Sequence, residues 1–183
     1  MTGIASKGQL RMSFLRWAAV TVPLILLLGF VSGMSVPAGN DNRWYQALAK
    51  PALTPPGWAF PVAWTTIYVL LGLALAMVLN ARGARGRGIA VLLFAASFAG
   101  ALAWMPLFFG AHRITAATWL IVFMVATGCA AAVAFARVRP VAAWLLLPYL
   151  VWISFAGLLT WSIGRMNPDA QGLAPGARTS QML

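Results

Sequence analysis

Lys50-Pro51-Ala52-Leu53-Thr54-Pro55-Pro56-Gly57-Trp58-Ala59-Phe60-Pro61-Val62-Ala63-Trp64-Thr65-Thr66-Ile67-Tyr68 is the stretch that decides how this chain is read. Its first half cannot be regular helix. Pro51, Pro55 and Pro56 fix φ and remove backbone donors, so the segment takes an extended or turn path. From Trp58 to Asn80 there is then no charged residue. A run of about 20 apolar residues is enough for a helix to cross a bilayer. Pro61 falls in the first turn, where its missing N–H costs little. Phe60, Trp64 and Tyr68 follow at i, i+4 and i+8 and share one helical face. A rigid proline loop therefore feeds a membrane helix that carries an aromatic stripe.

The rest of the chain has the same character. It is 62% hydrophobic and 8% charged over 183 residues, whereas a soluble domain carries about 25% charged residues. A water-facing surface cannot be built from that composition, and one integral membrane domain is the natural count. The net charge is +11, from 13 Lys and Arg against Asp41 and Asp169. These basic residues sit between apolar runs, so they read as topology signals and lipid phosphate contacts, with no nucleic acid as partner. The single cysteine, Cys129, rules out an intrachain disulfide. With one histidine, His112, and no acid inside an apolar run, neither a metal site nor a carboxylate pair is expected. His112 reads as an interfacial residue rather than a base.

Five spans follow, for an all-α bundle of transmembrane helices. Residues 1–16 form a basic amino-terminal segment with Lys7, Arg11 and Arg16, and the first apolar run goes from Trp17 to about Val36. A signal peptide is the rival reading; the length of the run favours a retained helix. Gly29 and Gly33 on it form a G-x-x-x-G pair that permits close helix approach. The second span is Trp58–Asn80, then comes a basic turn with Arg82, Arg85 and Arg87. The third runs from about Gly88 to Phe109 and is rich in small residues, the fourth from Ile114 to Ala136, the fifth from Val141 to about Gly164. The bundle is thus 17–164, and 165–183 is a polar tail, expected to be mobile from Asp169. Eight basic residues lie on the side of the amino terminus and five, with both acids, on the other. That bias puts the amino terminus in the cytoplasm and the first loop outside. The rule holds for the bacterial cell membrane, the expected location, and not for an outer membrane, which is the alternative.

Trp44-Tyr45, Lys50-Pro51, Pro55-Pro56, Trp58, Phe60, Trp64 and Tyr68 resemble, in order and spacing, the signature of the TspO/MBR family of tryptophan-rich sensory and translocator proteins. Trp104-Met105-Pro106-Leu107-Phe108-Phe109-Gly110 is similar to the family's W-x-P-x-F-F-G segment. Pro148-Tyr149-Leu150-Val151-Trp152 is similar to its P-Y-L-x-W element. The resemblance implies five helices around a site, under the first loop, that accepts flat apolar molecules. Porphyrins and haem are the ligands it implies first, with sterols and benzodiazepine-type compounds beside them, and no required cofactor. It also implies a homodimer, for which the small-residue face around Ala96, Gly100 and Ala103 is the natural candidate.

On this reading the site is lined by Phe60, Trp64, Tyr68, Trp104, Phe108, Tyr149, Trp152 and Ala156. Trp44, Lys50, Pro51, Pro55 and Pro56 belong to a lid loop. Indole and phenyl faces suit a tetrapyrrole's π-surface, while indole N–H groups, Arg43 or Lys50 suit its carboxylate edge. The blander alternative is that the same rings only pack the bundle. The family is also credited with light-dependent porphyrin breakdown, for which Trp64 and Trp152 match the positions concerned; sensor or transporter is the primary reading, and that photochemical enzyme the alternative. The chain departs from the family pattern at Ala101 and Thr160, where Asn is usual, and at Ser97, where Gln is usual. Affinity is therefore expected mainly from ring contacts. Leu159, Trp161 and Arg165 resemble a cholesterol-recognition pattern with Trp in place of Tyr, and read as an ordinary interfacial anchor.

Overall fold

The computed structural model describes residues 7–170. Its elements are α1 (Lys7–Gly33), a 3-10 turn (Gly39–Asp41), α2 (Arg43–Ala47), α3 (Ala59–Asn80), α4 (Arg87–Met105), a π-helical turn (Pro106–Gly110), α5 (Ile114–Val138) and α6 (Pro140–Met166). Among the described residues there is no strand. Five helices, α1 and α3 to α6, are long and apolar enough to span a membrane. The protein is an integral, multi-pass membrane protein. In hydrocarbon every backbone N–H and C=O must be satisfied within the segment, which is why each apolar run is helical.

Most span limits agree with the reading of the sequence within a few residues. The first does not. α1 takes in the basic segment from Lys7, the first described residue, since Gln9, Leu10, Arg11 and Met12 are good helix formers. It ends at Gly33 rather than Val36, since Pro37 drives the residue before it out of the helical region.

The helices form a ring: α1 packs on α3, α3 on α6, α6 on α5, α5 on α4, and α4 returns to α1. α1 and α3 cross closely. A Cβ on Gly72 would lie 2.6 Å from Val22 Cα, and Thr21 Oγ1 donates to Gly72 O at 2.7 Å beside it. Gly29 faces Tyr68 inside the bundle, while Gly33 has open space around it.

Gly100 differs from expectation. It is buried against α5, where an added Cβ would meet Met124 Cγ at 2.6 Å. The glycine proposed for a dimer face is thus consumed by packing within the bundle. The small residues of α4 that remain exposed are Gly88 at its start and Ala95, Ala99 and Ala103 further along.

Arg82, Arg85, Arg137 and Arg139 are exposed at the end opposite the first loop. The turn joining α3 to α4 is made by Gly83 and Gly86, at φ of 76° and 80°. At the other end, the chain leaving α6 turns back over the first loop. Ala170 is buried there, so the departure from helix is not yet a free tail. The remainder of the expected tail, 171–183, lies outside the described residues.

Candidate functional site: an aromatic seam and a fastened loop

α3 brings Phe60, Trp64 and Tyr68 to one face as the i+4 spacing requires. Trp64 and Tyr68 pack with ring centroids 5.3 Å apart at 31°. Phe60 meets Trp152 of α6 edge-on, at 5.8 Å and 72°. Tyr68 is buried, held between Phe98 at 6.2 Å and Phe30 at 6.4 Å, both edge-on. Phe60, Trp64, Trp152 and Ala156 are only partly buried. The α3–α6 seam thus presents ring surface that the protein's own side chains do not fully cover.

Tyr149 lies deeper and serves a polar junction. Ser97 Oγ donates to Met124 O at 2.8 Å and stands 2.9 Å from the Tyr149 hydroxyl. The hydroxyl also lies 3.2 Å from Ser97 O. One buried pair of hydroxyls so ties α4, α5 and α6 together. Ser97 carries a polar role although the family's usual Gln is absent. Ala101 is buried in the main core, and Thr160 bonds only back to Ala156 O, at 2.8 Å.

Phe108 is more deeply buried than Phe60, Trp64 and Trp152. It is 1% exposed and belongs to a second cluster with Trp44, Leu48, Ile114, Ala117, Ile163 and Ala170. Its ring is edge-on to Trp44 at 5.4 Å. Trp104 stacks on Phe108 at 4.9 Å and 9° and touches both clusters. Phe108 therefore supports the loop, and Trp104 joins that support to the main core.

The loop itself is fastened at several points. Asn42 caps α2 by accepting from Tyr45 N at 3.0 Å. Its Nδ2 donates to Pro37 O at 2.9 Å and Phe109 O at 3.0 Å. Trp44 is buried, stacks on His112 at 4.4 Å and 20°, and donates Nε1 to Ala170 O at 3.0 Å. His112 holds a left-handed φ of 55°; its ring is a packing partner of the loop.

Asn167, just after α6, pairs with the backbone of Ala49 twice. Its Oδ1 accepts from Ala49 N at 2.9 Å and its Nδ2 donates to Ala49 O at 2.9 Å. Downstream, Thr54 closes a turn on Pro51 O, between the half-buried Pro51 and Pro55, while Pro56 is exposed. Lys50 is partly buried. Its Nζ donates to Leu48 O at 3.0 Å and sits 4.7 Å from the Tyr45 ring centroid. Arg43 is exposed. Burial raises the pKa of the Tyr45 phenol above its ordinary value.

Asn42, Asn167, Ser97 and Gly72 were missed by reading the sequence as functional or anchoring residues. Asn42 had a signal, an Asn ahead of a short polar-aromatic helix, which is a preferred N-cap. Asn167 had none, because its partner is distant in the chain. Among the described residues no three His, Cys, Asp or Glu side chains come together as metal ligands would.

Residues 19–166 match the model of the TspO/MBR family. The chain is similar to the tryptophan-rich protein TspO of Chlorobaculum tepidum, 36% identical over 151 residues, covering 82% of this chain and 95% of that one. It is 38% identical to the translocator protein of Sus scrofa over 158 residues, 84% and 89% of the two chains. With the tryptophan-rich sensory protein of Cereibacter sphaeroides it shares 34% identity over 154 residues, 80% and 96%.

Proposed function

The chain belongs to the TspO/MBR family, and from that premise we propose that it binds porphyrin-type ligands in the recess between α3 and α6, as a sensor or transporter of such molecules. Sterols and other flat apolar compounds, which share that shape, are proposed beside them. The observation that carries the reading is the set of partly uncovered rings, Phe60, Trp64 and Trp152, brought together at the α3–α6 seam. A site of apolar walls with few polar groups is the general form of a small-molecule pocket. A tetrapyrrole face stacked on an indole gains about 0.5–1.5 kcal/mol beyond the area buried. Relatives carrying the names sensory protein and translocator protein support a role in ligand handling rather than a purely structural one. A homodimer is proposed on the same family ground, with the exposed Ala95, Ala99 and Ala103 as its contact.

The test is an absorbance titration of purified protein with protoporphyrin IX and with haem. Trp64→Ala and Trp152→Ala should each weaken binding roughly tenfold or more once lost burial is included. Trp144→Ala, on a residue 69% exposed at the lipid side of α6, should leave it unchanged. Equal affinity in all three variants would reduce the inner tryptophans to packing. Dark anaerobic incubation separates binding, which survives it, from photochemical breakdown, which does not.

A further inference from the structure

The outer face of the bundle carries a groove that the porphyrin reading does not use. Two adjoining hollows of about 520 and 480 Å³ lie between α5 and α6. Thr118, Val122 and Trp161 line both, so the two make one continuous trough. It runs along α5 from Ala126 to Thr115, about 16 Å at roughly 1.5 Å per residue. Phe60, Trp64 and Trp152 do not line it, and its lips, Val122, Leu158 and Trp161, are exposed. The groove therefore opens to the lipid and is separate from the α3–α6 seam.

Its shape follows from the sequence. Gly157 and Gly164 stand two helical turns apart on α6, as Ile114 and Ile121 do on α5. A Cβ on Gly157 would lie 3.0 Å from Ile121 Cγ2, and one on Gly164 would lie 3.1 Å from Ile114 Cγ2. The two helices thus meet along a smooth floor of glycine and buried isoleucine, and larger side chains rise on either side. Thr118 donates its hydroxyl to Ile114 O at 2.9 Å, so that donor is not left for the trough.

The mouth has a different chemistry. At the loop end Trp119 and Trp161 are exposed on the two helices, where an interfacial aromatic belt belongs. Arg165 is exposed beside them and lines the groove, its guanidinium 5.9 Å from the Trp161 ring centroid. The acids of the chain are Asp41 and Asp169, and among the described residues neither pairs with Arg165. A cation without a carboxylate thus stands over an apolar trough about as long as one leaflet, half of a hydrocarbon core ~30 Å thick.

We propose that this groove binds an anionic phospholipid of the leaflet on the first-loop side, with one acyl chain in the trough and the phosphate on Arg165. Guanidinium N–H groups match two phosphate oxygens at once. A zwitterionic lipid brings its own cation, which competes for that phosphate, so a net negative headgroup is selected. A sterol offers only a neutral hydroxyl and leaves the guanidinium without a counter-charge.

The experiment measures lipid binding to the purified, detergent-solubilised protein by native mass spectrometry. The probes are phosphatidylglycerol, phosphatidylcholine with the same acyl chains, and cholesterol. The unaltered protein should hold its first phosphatidylglycerol roughly fivefold or more tighter than phosphatidylcholine. Arg165→Gln should bring phosphatidylglycerol down to the phosphatidylcholine level. Ala126→Phe, at the inner end of the groove, should weaken both phospholipids by filling the place of the chain. Arg139→Gln removes a charge at the opposite end of the bundle and should leave the first phosphatidylglycerol unchanged. All three positions are exposed, where substitutions leave the fold intact. Equal losses in Arg165→Gln and Arg139→Gln would mean a diffuse attraction to net positive charge and would overturn the site. So would an Ala126→Phe protein that binds phospholipid as the unaltered one does. Cholesterol that binds tighter than phosphatidylglycerol, and is lost in Ala126→Phe, would give the groove to a sterol and overturn the proposal as well.

Discussion

Replacing Asn167 by Ala should loosen the first loop without disturbing the bundle. The side chain makes two bonds to Ala49, both 2.9 Å and both exposed to solvent, and one at 2.8 Å to Ile163 O at the end of α6. A net hydrogen bond is worth about 0.5–1.5 kcal/mol, and water competes best for exposed ones. The two bonds to the loop therefore contribute about 1–2 kcal/mol to its closure, a factor of roughly 5–30 in the open population. Amide hydrogen exchange reads this directly, because Ala49 N–H is itself one of the bonded groups. In Asn167→Ala, exchange at Ala49 and neighbouring loop amides should accelerate by roughly that factor. Amides in the middle of α5 should not change. Asn167→Asp keeps an acceptor for Ala49 N–H but has no donor for Ala49 O, so it should fall between the two. Unaltered exchange at Ala49 in Asn167→Ala would refute the latch. The loop would then be held by the Asn42 bonds and the Trp44–Phe108 cluster.

Gly72→Ala should destabilise the bundle by about 1–3 kcal/mol, because the new methyl meets the backbone of Val22; Gly88→Ala, with nothing within 4 Å, is the control in a denaturing-detergent titration, and equal stability of the two would sink the close-crossing argument. Gly100→Leu should unfold the bundle rather than merely dissociate a dimer, since Met124 occupies the space it needs; a folded monomer on gel filtration would contradict this. Burial favours the neutral phenol of Tyr45 in the folded state, so its contribution to stability is present below the ordinary tyrosine value near 10 and is lost as pH rises through the raised folded value. The phenolate absorbance difference between the unaltered protein and Tyr45→Phe should therefore have its midpoint above about 10; a midpoint at or below that value would show the phenol to be solvated.

By itself the sequence determined that the chain crosses a membrane five times, where most spans begin and end, and which family it belongs to. These follow from local properties: uninterrupted apolar length, prolines that stop helices, and aromatic residues at helical spacing. It also placed Phe60, Trp64 and Tyr68 on one face, because an i+4 step is a property of the helix and needs no neighbour. What the sequence could not decide is which rings meet across helices. Phe108 follows Trp104 by one turn, yet it supports the loop, because the π turn after Met105 and the buried Trp44 draw it into the second cluster. The fate of Gly100 was equally undetermined: a small residue permits close approach by any helix, and only the ring order made α5 the one that came. Asn167 and Ala49 lie 118 residues apart, so their pairing exists only once α6 has delivered its end beside the first loop. The groove between α5 and α6 is likewise visible only in three dimensions, since Gly157 and Gly164 meet Ile121 and Ile114 only across helices.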